Sequence, residues 1–178
     1  MSDPLADGLP SPTVVLTGFM GTGKSTVARL VAEHLGLEHV DTDTLIEERH
    51  GPIERIFATR GEESFRALER EVASELAGRT GLVVSTGGAM MLDAANRATL
   101  GARATVVCLV ASAAEISRRV QADDVERPLL AGPNSLARII ELLTERESGY
   151  ARFTQIETEG RSPEEIATDI VAIAVSSG

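Results

Sequence analysis

The chain has 178 residues, 43% of them hydrophobic, enough for one substantial core, and it shows no uncharged apolar run near the roughly 20 residues that cross a bilayer. Its 27 acidic side chains against 17 basic ones give a net charge of −10, which opposes adsorption to nucleic acid or anionic lipid. An aromatic content of 3% leaves few platforms for stacking bases. Cys108 is the single cysteine, so no intramolecular disulfide forms; inside the apolar stretch VVCLV it reads as a core thiol, and a reducing cytoplasm is the expected setting. The stretch MSDPLADGLPSP carries acids and prolines instead of the basic and apolar regions of a secretory signal. Residues 1–12 are therefore expected to be a disordered tail before a single domain over 13–178.

In chain order, Thr13–Thr17 predicts a first strand and Ser25–Leu35 a helix stopped by Gly36. A short strand is expected at His39–Asp41, followed by helices over Thr44–Arg49, Ile53–Thr59 and Glu62–Ala77. Leu82–Ser85 reads as a strand, Ala94–Leu100 as a helix and Ala104–Val110 as the most apolar strand. Ala113–Val120 returns as a helix ending in Arg118 and Arg119. Ser135–Tyr150 predicts another long helix, Thr154–Glu157 a strand, and Pro163–Val175 a closing helix with Glu164 and Glu165 in its first turn. Five strands alternating with helices imply an α/β fold: a mostly parallel five-stranded sheet with helices on both faces, three layers in all. The segment at about 121–134, with its acids, Arg127, two prolines and Gly132, breaks that rhythm and reads as a mobile lid.

Gly18 to Ser25 spells GFMGTGKS, a full match to GxxxxGK[ST], placed between an expected strand and an expected helix. Such a glycine-rich turn lets successive backbone N–H groups face phosphate oxygens, with the helix dipole pointing at the same place. Sixteen of the basic residues are arginine and only Lys24 is lysine. A compact ammonium reaches between phosphate oxygens as a point charge, which a planar guanidinium does not. Lys24 is thus expected at the β- and γ-phosphates, and the Ser25 hydroxyl on Mg2+.

Asp41-Thr42-Asp43 follows the second strand, at the edge where ligands of parallel sheets bind. If this stretch is extended, residues two apart face one side and both carboxylates approach the reacting phosphate. Alternatively, Asp43 caps the helix beginning near Thr44.

Taken together and in order, GFMGTGKST, VDTD, Phe65-Arg66, Thr86-Gly87-Gly88, RPLL at Arg127 to Leu130, and Glu145-Arg146 resemble the shikimate kinase family. The resemblance runs from about Val14 to Pro163. It implies a P-loop fold of the nucleoside-monophosphate-kinase type and ATP-dependent phosphorylation of the 3-hydroxyl of shikimate, with Mg2+. By that resemblance Gly21, Thr22, Gly23, Lys24, Ser25 and Thr26 hold the phosphates, and Asp41 reaches the metal through water. Asp43 binds ring hydroxyls and acts as the base, while Arg66 and Arg146 grip the substrate carboxylate. From spacing alone, Glu69, one helical turn after Arg66, is placed to lock it by an ion pair, and Gly87 and Gly88, at a strand end, let the substrate ring lie on bare backbone. By the resemblance, Arg127 closes over the β- and γ-phosphates, and Arg119 and Pro163 sandwich adenine. Residues 42–77 form the acceptor-binding insertion.

Read without the resemblance, Arg66 and Arg146 are solvated helix faces, and Arg119 is equally a helix-terminal charge. Ala89 departs from the family's third consecutive glycine; its methyl group either narrows the pocket or requires a negative φ. A kinase for another cyclic hydroxy acid, or a nucleotide-binding regulator without turnover, therefore stands beside the main reading. His34, His39 and His50 share no metal-ligand spacing and carry no expected role. The expected partners are ATP, ADP and shikimate, with neither nucleic acid nor membrane, and the chain is expected to be monomeric.

Overall fold

β-Branched runs and strict alternation create strands whose odd and even side chains enter opposite layers. The computed structural model describes residues 12–122 and 135–177. In order, it contains β1 (Thr13–Gly18), α1 (Lys24–Leu35), β2 (Glu38–Asp41), α2 (Thr42–His50), α3 (Ile53–Ala77) and β3 (Leu82–Ser85). A 3-10 turn at Met90–Leu92, α4 (Ala94–Thr99) and a second 3-10 turn at Leu100–Arg103 follow. Then come β4 (Ala104–Val110), α5 (Ala113–Ala122), α6 (Ser135–Tyr150), β5 (Thr154–Glu157) and α7 (Pro163–Ser176).

The sheet order is β2-β3-β1-β4-β5, and each of these neighbouring pairs is parallel. The expected "mostly parallel" sheet is thus parallel throughout its described strands. Val14 and Leu16 face a layer built with Val27 and Val31 of α1 and Ile166 and Ile170 of α7. Val15 and Val84 face the other way, into Ile46, Phe65, Leu68 and Val72 of α2 and α3. A third cluster joins Phe19, Cys108, Ile116 of α5, and Ile139, Leu142 and Tyr150 of α6. Burial pushes the Cys108 thiol up to about 12, so it stays protonated as a core side chain.

Local boundaries moved for identifiable reasons. The helix expected from Thr44 begins at Thr42, because Asp41, not Asp43, is its N-cap and accepts from the amides of Asp43 and Thr44. The two carboxylates therefore do not share one face of an extended strand. The helix expected over Ala94–Leu100 ends at Thr99 and tightens into the 3-10 turn. The expected break between Ile53–Thr59 and Glu62–Ala77 is present as a kink inside α3, where Gly61 has φ 79° and ψ 170°. Of the lid segment, Gln121 and Ala122 finish α5, and 123–134 lie outside the described residues.

Gly36 and Gly61 separate two kinds of backbone strain, since a Cβ at either would meet nothing within 4 Å. Gly36 closes α1 in the left-handed helical region, φ 64° and ψ 33°. Other residues enter that region at a cost of about 1–2 kcal/mol. The Gly61 conformation is almost restricted to glycine, with a cost of up to about 3 kcal/mol. In urea denaturation, Gly61→Ala is expected to lose more stability than Gly36→Ala; equal losses would refute the conformational argument.

Candidate active site

β1 can run directly into the phosphate loop because Gly18 carries no side chain: its φ is 133°, and a Cβ would collide with the Leu109 carbonyl of β4. Gly21 and Gly23 follow with φ of 77° and 89°. The Thr22 hydroxyl donates to the Phe19 carbonyl at 2.7 Å, fixing the turn from inside. Lys24 Nζ donates to the carbonyls of Gly18 and Phe19, each at 2.8 Å, which tethers the ammonium to the loop. Helix α1 starts at Lys24 with no side-chain cap, leaving its first N–H groups available to an anion. Beside the loop, a cleft of about 500 Å3 is lined by Thr22, Gly23, Thr26, Arg119, Thr158 and Pro163.

Arg119 lines that cleft with its donors fixed. Nε donates to Glu115 at 2.7 Å, Nη1 to Thr158 Oγ1 at 3.0 Å and Nη2 to the Thr158 carbonyl at 3.1 Å. Its neighbour Arg118 is 68% exposed in its side chain and pairs with Glu115. Pro163 is N1 of α7, behind a Ser162–Glu165 capping box. The expected adenine-side residues are thus brought together.

Asp41 is the junction of the site. Oδ2 accepts from Ser25 Oγ and Ser85 Oγ, each at 2.7 Å; Oδ1 accepts from the amides of Asp43 and Thr44, each at 3.1 Å. Burial alone would raise its pKa, but these bonds, Ser85's foremost, hold it below the ordinary carboxylate value. His39 Nε2 lies 2.9 Å from Ser85 Oγ. With the serine proton donated to Asp41, the histidine nitrogen is the donor of that contact. Ser25 and Asp41 offer a hydroxyl and one carboxylate, and no three His, Cys, Asp or Glu side chains among the described residues form a metal cage. An ion here would take its remaining ligands from phosphate and water, the coordination that suits Mg2+.

Asp43 lies in the first turn of α2, and its environment is the reverse. Burial, and next the charge of Asp41, push its carboxyl up to about 6, with Lys24 opposing. Two neighbouring carboxylates driven apart in this way suit one to remain an anion and the other to exchange a proton near neutrality. Gly87 shows why this corner requires glycine: a Cβ would stand 2.7 Å from Asp43 Oδ1 and 3.1 Å from Glu69 Oε1. Both oxygens are buried without a hydrogen-bond partner. They form a small acceptor-only corner that hydroxyl donors would satisfy.

Arg66 supplies positive charge next to this corner. Nη1 donates to the buried Glu69 at 2.8 Å, so the expected lock is present, and Nη2 also donates to Glu62 at 3.0 Å. Arg146 approaches from α6: its guanidinium lies 5.4 Å from the Phe19 ring, and Nη1 would be 3.5 Å from a Cβ on Gly88. Neither arginine is a purely solvated helix face. Ala89 adopts φ −103° and ψ −6°, so its methyl group is accommodated without left-handed strain.

Three contributors escaped the sequence reading. Ser85 bonds Asp41; Thr42, fully buried, accepts the Gly87 amide at 3.1 Å; and the Tyr150 hydroxyl donates to the Gly88 carbonyl at 2.7 Å. Thr42 had a signal, standing between two singled-out aspartates, whereas Tyr150 meets a partner far away in sequence. Arg127 lies outside the described residues.

An anion-binding loop that meets a hydroxyl-seeking, arginine-flanked corner can bring a nucleotide's terminal phosphate to a polar acceptor. Together with the sheet order, this defines a P-loop kinase of small molecules, of the nucleoside-monophosphate-kinase-like fold. The Shikimate kinase family model matches residues 20–174. A shikimate kinase of Geobacter sulfurreducens is 46% identical over 159 residues, 88% of this chain and 87% of the relative. That of Geobacter metallireducens is 43% identical over 159 residues, 88% of each chain. Among solved structures, shikimate kinase from Acinetobacter baumannii in complex with shikimate superposes with a TM-score of 0.86 at 36% identity, covering 94% of both chains. The chain belongs to the shikimate kinase family.

The raised Asp43 pKa has a stability consequence for the metal-free, ligand-free protein. The folded state holds this proton up to about 6, whereas the unfolded chain releases it near 4. The folded state thus binds more protons between those values, and stability falls as pH rises through that window. Asp43→Asn removes the buried charge. It is expected to stabilise the free protein by about 2–3 kcal/mol at pH 8 and to give no such gain at pH 3. Urea denaturation at both pH values checks this, and a loss at pH 8 would contradict it.

Proposed function

We propose that the protein transfers the γ-phosphoryl group of ATP to the 3-hydroxyl of shikimate, yielding shikimate 3-phosphate and ADP, a step of aromatic amino-acid biosynthesis through chorismate. The observation that carries this reading is the corner at Gly87. Two buried, unpaired carboxylate oxygens of Asp43 and Glu69 lie beside Arg66, with Arg146 against Gly88. Such a site favours a molecule with several hydroxyls and a carboxylate, because the hydroxyls donate to the orphaned oxygens and the guanidinium forks receive the carboxylate. Glu62, with 66% of its side chain exposed, is a weak rival that an incoming carboxylate displaces.

The assigned roles follow from position. Asp43 takes the proton of the attacking hydroxyl as its oxygen bonds to the γ-phosphorus, and the bond to the bridging oxygen breaks to release ADP. Lys24 and the first amides of α1 hold the phosphates through the transfer. Gly21, Gly23 and Thr22 fix the loop, and Thr26, Arg119 and Pro163 line the adenine cleft. Ser25 and, through water, Asp41 would hold Mg2+, which offsets phosphate charge when bound. Arg127, assigned by family resemblance alone, completes the charge around the β- and γ-phosphates.

The insertion over 42–77 and the lid at about 121–134 are assigned to acceptor binding and site closure. Among the described residues no helix is long and apolar enough to cross a membrane. We place the protein in the cytoplasm as a monomer.

An ADP-release assay with Mg2+-ATP and shikimate, quinate or no acceptor tests the reading. Turnover is expected to depend on shikimate, and Asp43→Asn to lower kcat by about 10²–10⁴-fold. Lys24→Arg should also be severely impaired, because the planar fork cannot replace a point charge between phosphates. Faster turnover with quinate, or full activity of Asp43→Asn, would overturn the assignment.

A further inference from the structure

The chain's single tyrosine, Tyr150, ends α6 and is 4% exposed, within the cluster that also holds Phe19, Cys108, Ile139 and Leu142. As packing it could be phenylalanine; the distinguishing atom is the hydroxyl. That hydroxyl donates to the Gly88 carbonyl at 2.7 Å, and the Arg146 side chain lies close enough for its charge to act on the phenol. A phenol has one proton and lone pairs to spare, so it can serve both partners together. Burial raises the Tyr150 pKa, and the hydroxyl keeps its donor proton across the working pH range.

Arg146 and Tyr150 stand four residues apart on α6, the spacing that places two side chains on one helix face. The guanidinium is therefore bounded from three directions. The Phe19 ring lies 5.4 Å away, Gly88 presents bare backbone at a distance that leaves no room for much more than a methyl group, and the Tyr150 phenol stands one turn further along the helix. Glu69 restrains Arg66 with a carboxylate. On the other wall of the acceptor pocket the group beside Arg146 is a neutral phenol, which leaves its charge to the substrate carboxylate.

We propose that Tyr150 is a positioning residue for the acceptor: its hydroxyl sets the Arg146 guanidinium and the Gly88 peptide relative to one another, and so shapes the seat of the substrate carboxylate. The inference rests on Arg146 as a carboxylate grip. Because Tyr150 contacts neither the phosphate loop nor the adenine cleft through this hydroxyl, its removal acts on acceptor binding and spares the nucleotide.

Steady-state kinetics of Tyr150→Phe, Arg146→Ala and the double variant test this, with shikimate affinity measured in parallel by calorimetry. Tyr150→Phe is expected to raise KM and Kd for shikimate up to about tenfold, the scale of one lost hydrogen bond. It should leave KM for Mg2+-ATP unchanged and kcat nearly so. In the Arg146→Ala background the same change should add less than about twofold, because the two side chains act as a unit. An equal rise in both KM values, no rise in that for shikimate, or full additivity with Arg146→Ala overturns the proposal. If Arg146→Ala itself leaves shikimate binding intact, the carboxylate-grip reading fails first; if Arg146→Ala is impaired and Tyr150→Phe is silent, only the positioning role fails.

Discussion

The site depends on one carboxylate accepting four hydrogen bonds. Asp41 stands at the end of edge strand β2, yet it binds Ser25 of α1, Ser85 of β3 and the first amides of α2. It therefore ties the phosphate-loop helix to the neighbouring strand and starts the helix that carries Asp43. A charge-assisted bond is roughly twice as strong as a neutral one. A partly buried anion held by four donors from three elements is consequently a rigid joint. Without it, the spacing between the phosphate end and the acceptor end would rest on the Thr42–Gly87 hydrogen bond and the packing of α2 on the sheet.

The same joint explains what could be read in the sequence and what could not. The strands over Leu82–Ser85, Ala104–Val110 and Thr154–Glu157 were legible because fully apolar or alternating runs stand between glycine-rich or polar turns. The break at Gly61 was legible because glycine inside an otherwise helical pattern marks a backbone discontinuity. The roles within Asp41-Thr42-Asp43 were harder: both aspartates are good caps, and period-two reasoning assumes an extended chain. Asp41 captured the cap because its Oδ1 could reach two amides at once, and the helix then turned Asp43 toward Gly87. Ser85 and Tyr150 were invisible for a different reason. Their partners lie 44 and 62 positions away, and only the sheet order brings them near.

Charge is organised locally against the sign of the whole chain. A net charge of −10 should repel both ATP and a carboxylate acceptor at long range, but screening confines such fields to about 8 Å at physiological salt. Within that radius Lys24, the amides of α1, Arg66 and Arg146 outweigh the mean field. The surplus acids also keep the arginines in place. Glu69 holds Arg66 and Glu115 holds Arg119, so both guanidiniums are oriented before any ligand arrives. Preorganisation of this kind removes an ordering cost from binding.

The corner at Gly87 carries the opposite arrangement, two acceptors with no donor. Folding alone would favour a neutral or paired side chain at Asp43, because an unsatisfied buried acceptor costs about 1–3 kcal/mol. The layers of α2 and α3 against Val15 and Val84 hold the carboxylates there regardless, and the absence of a Cβ at Gly87 lets their oxygens lie against bare backbone. The deficit is specific: it is relieved by hydroxyl protons and aggravated by another anion. A polyol ring is therefore favoured at this end of the pocket and a phosphate is favoured at the loop, which separates the two substrates by the sign of what each site lacks.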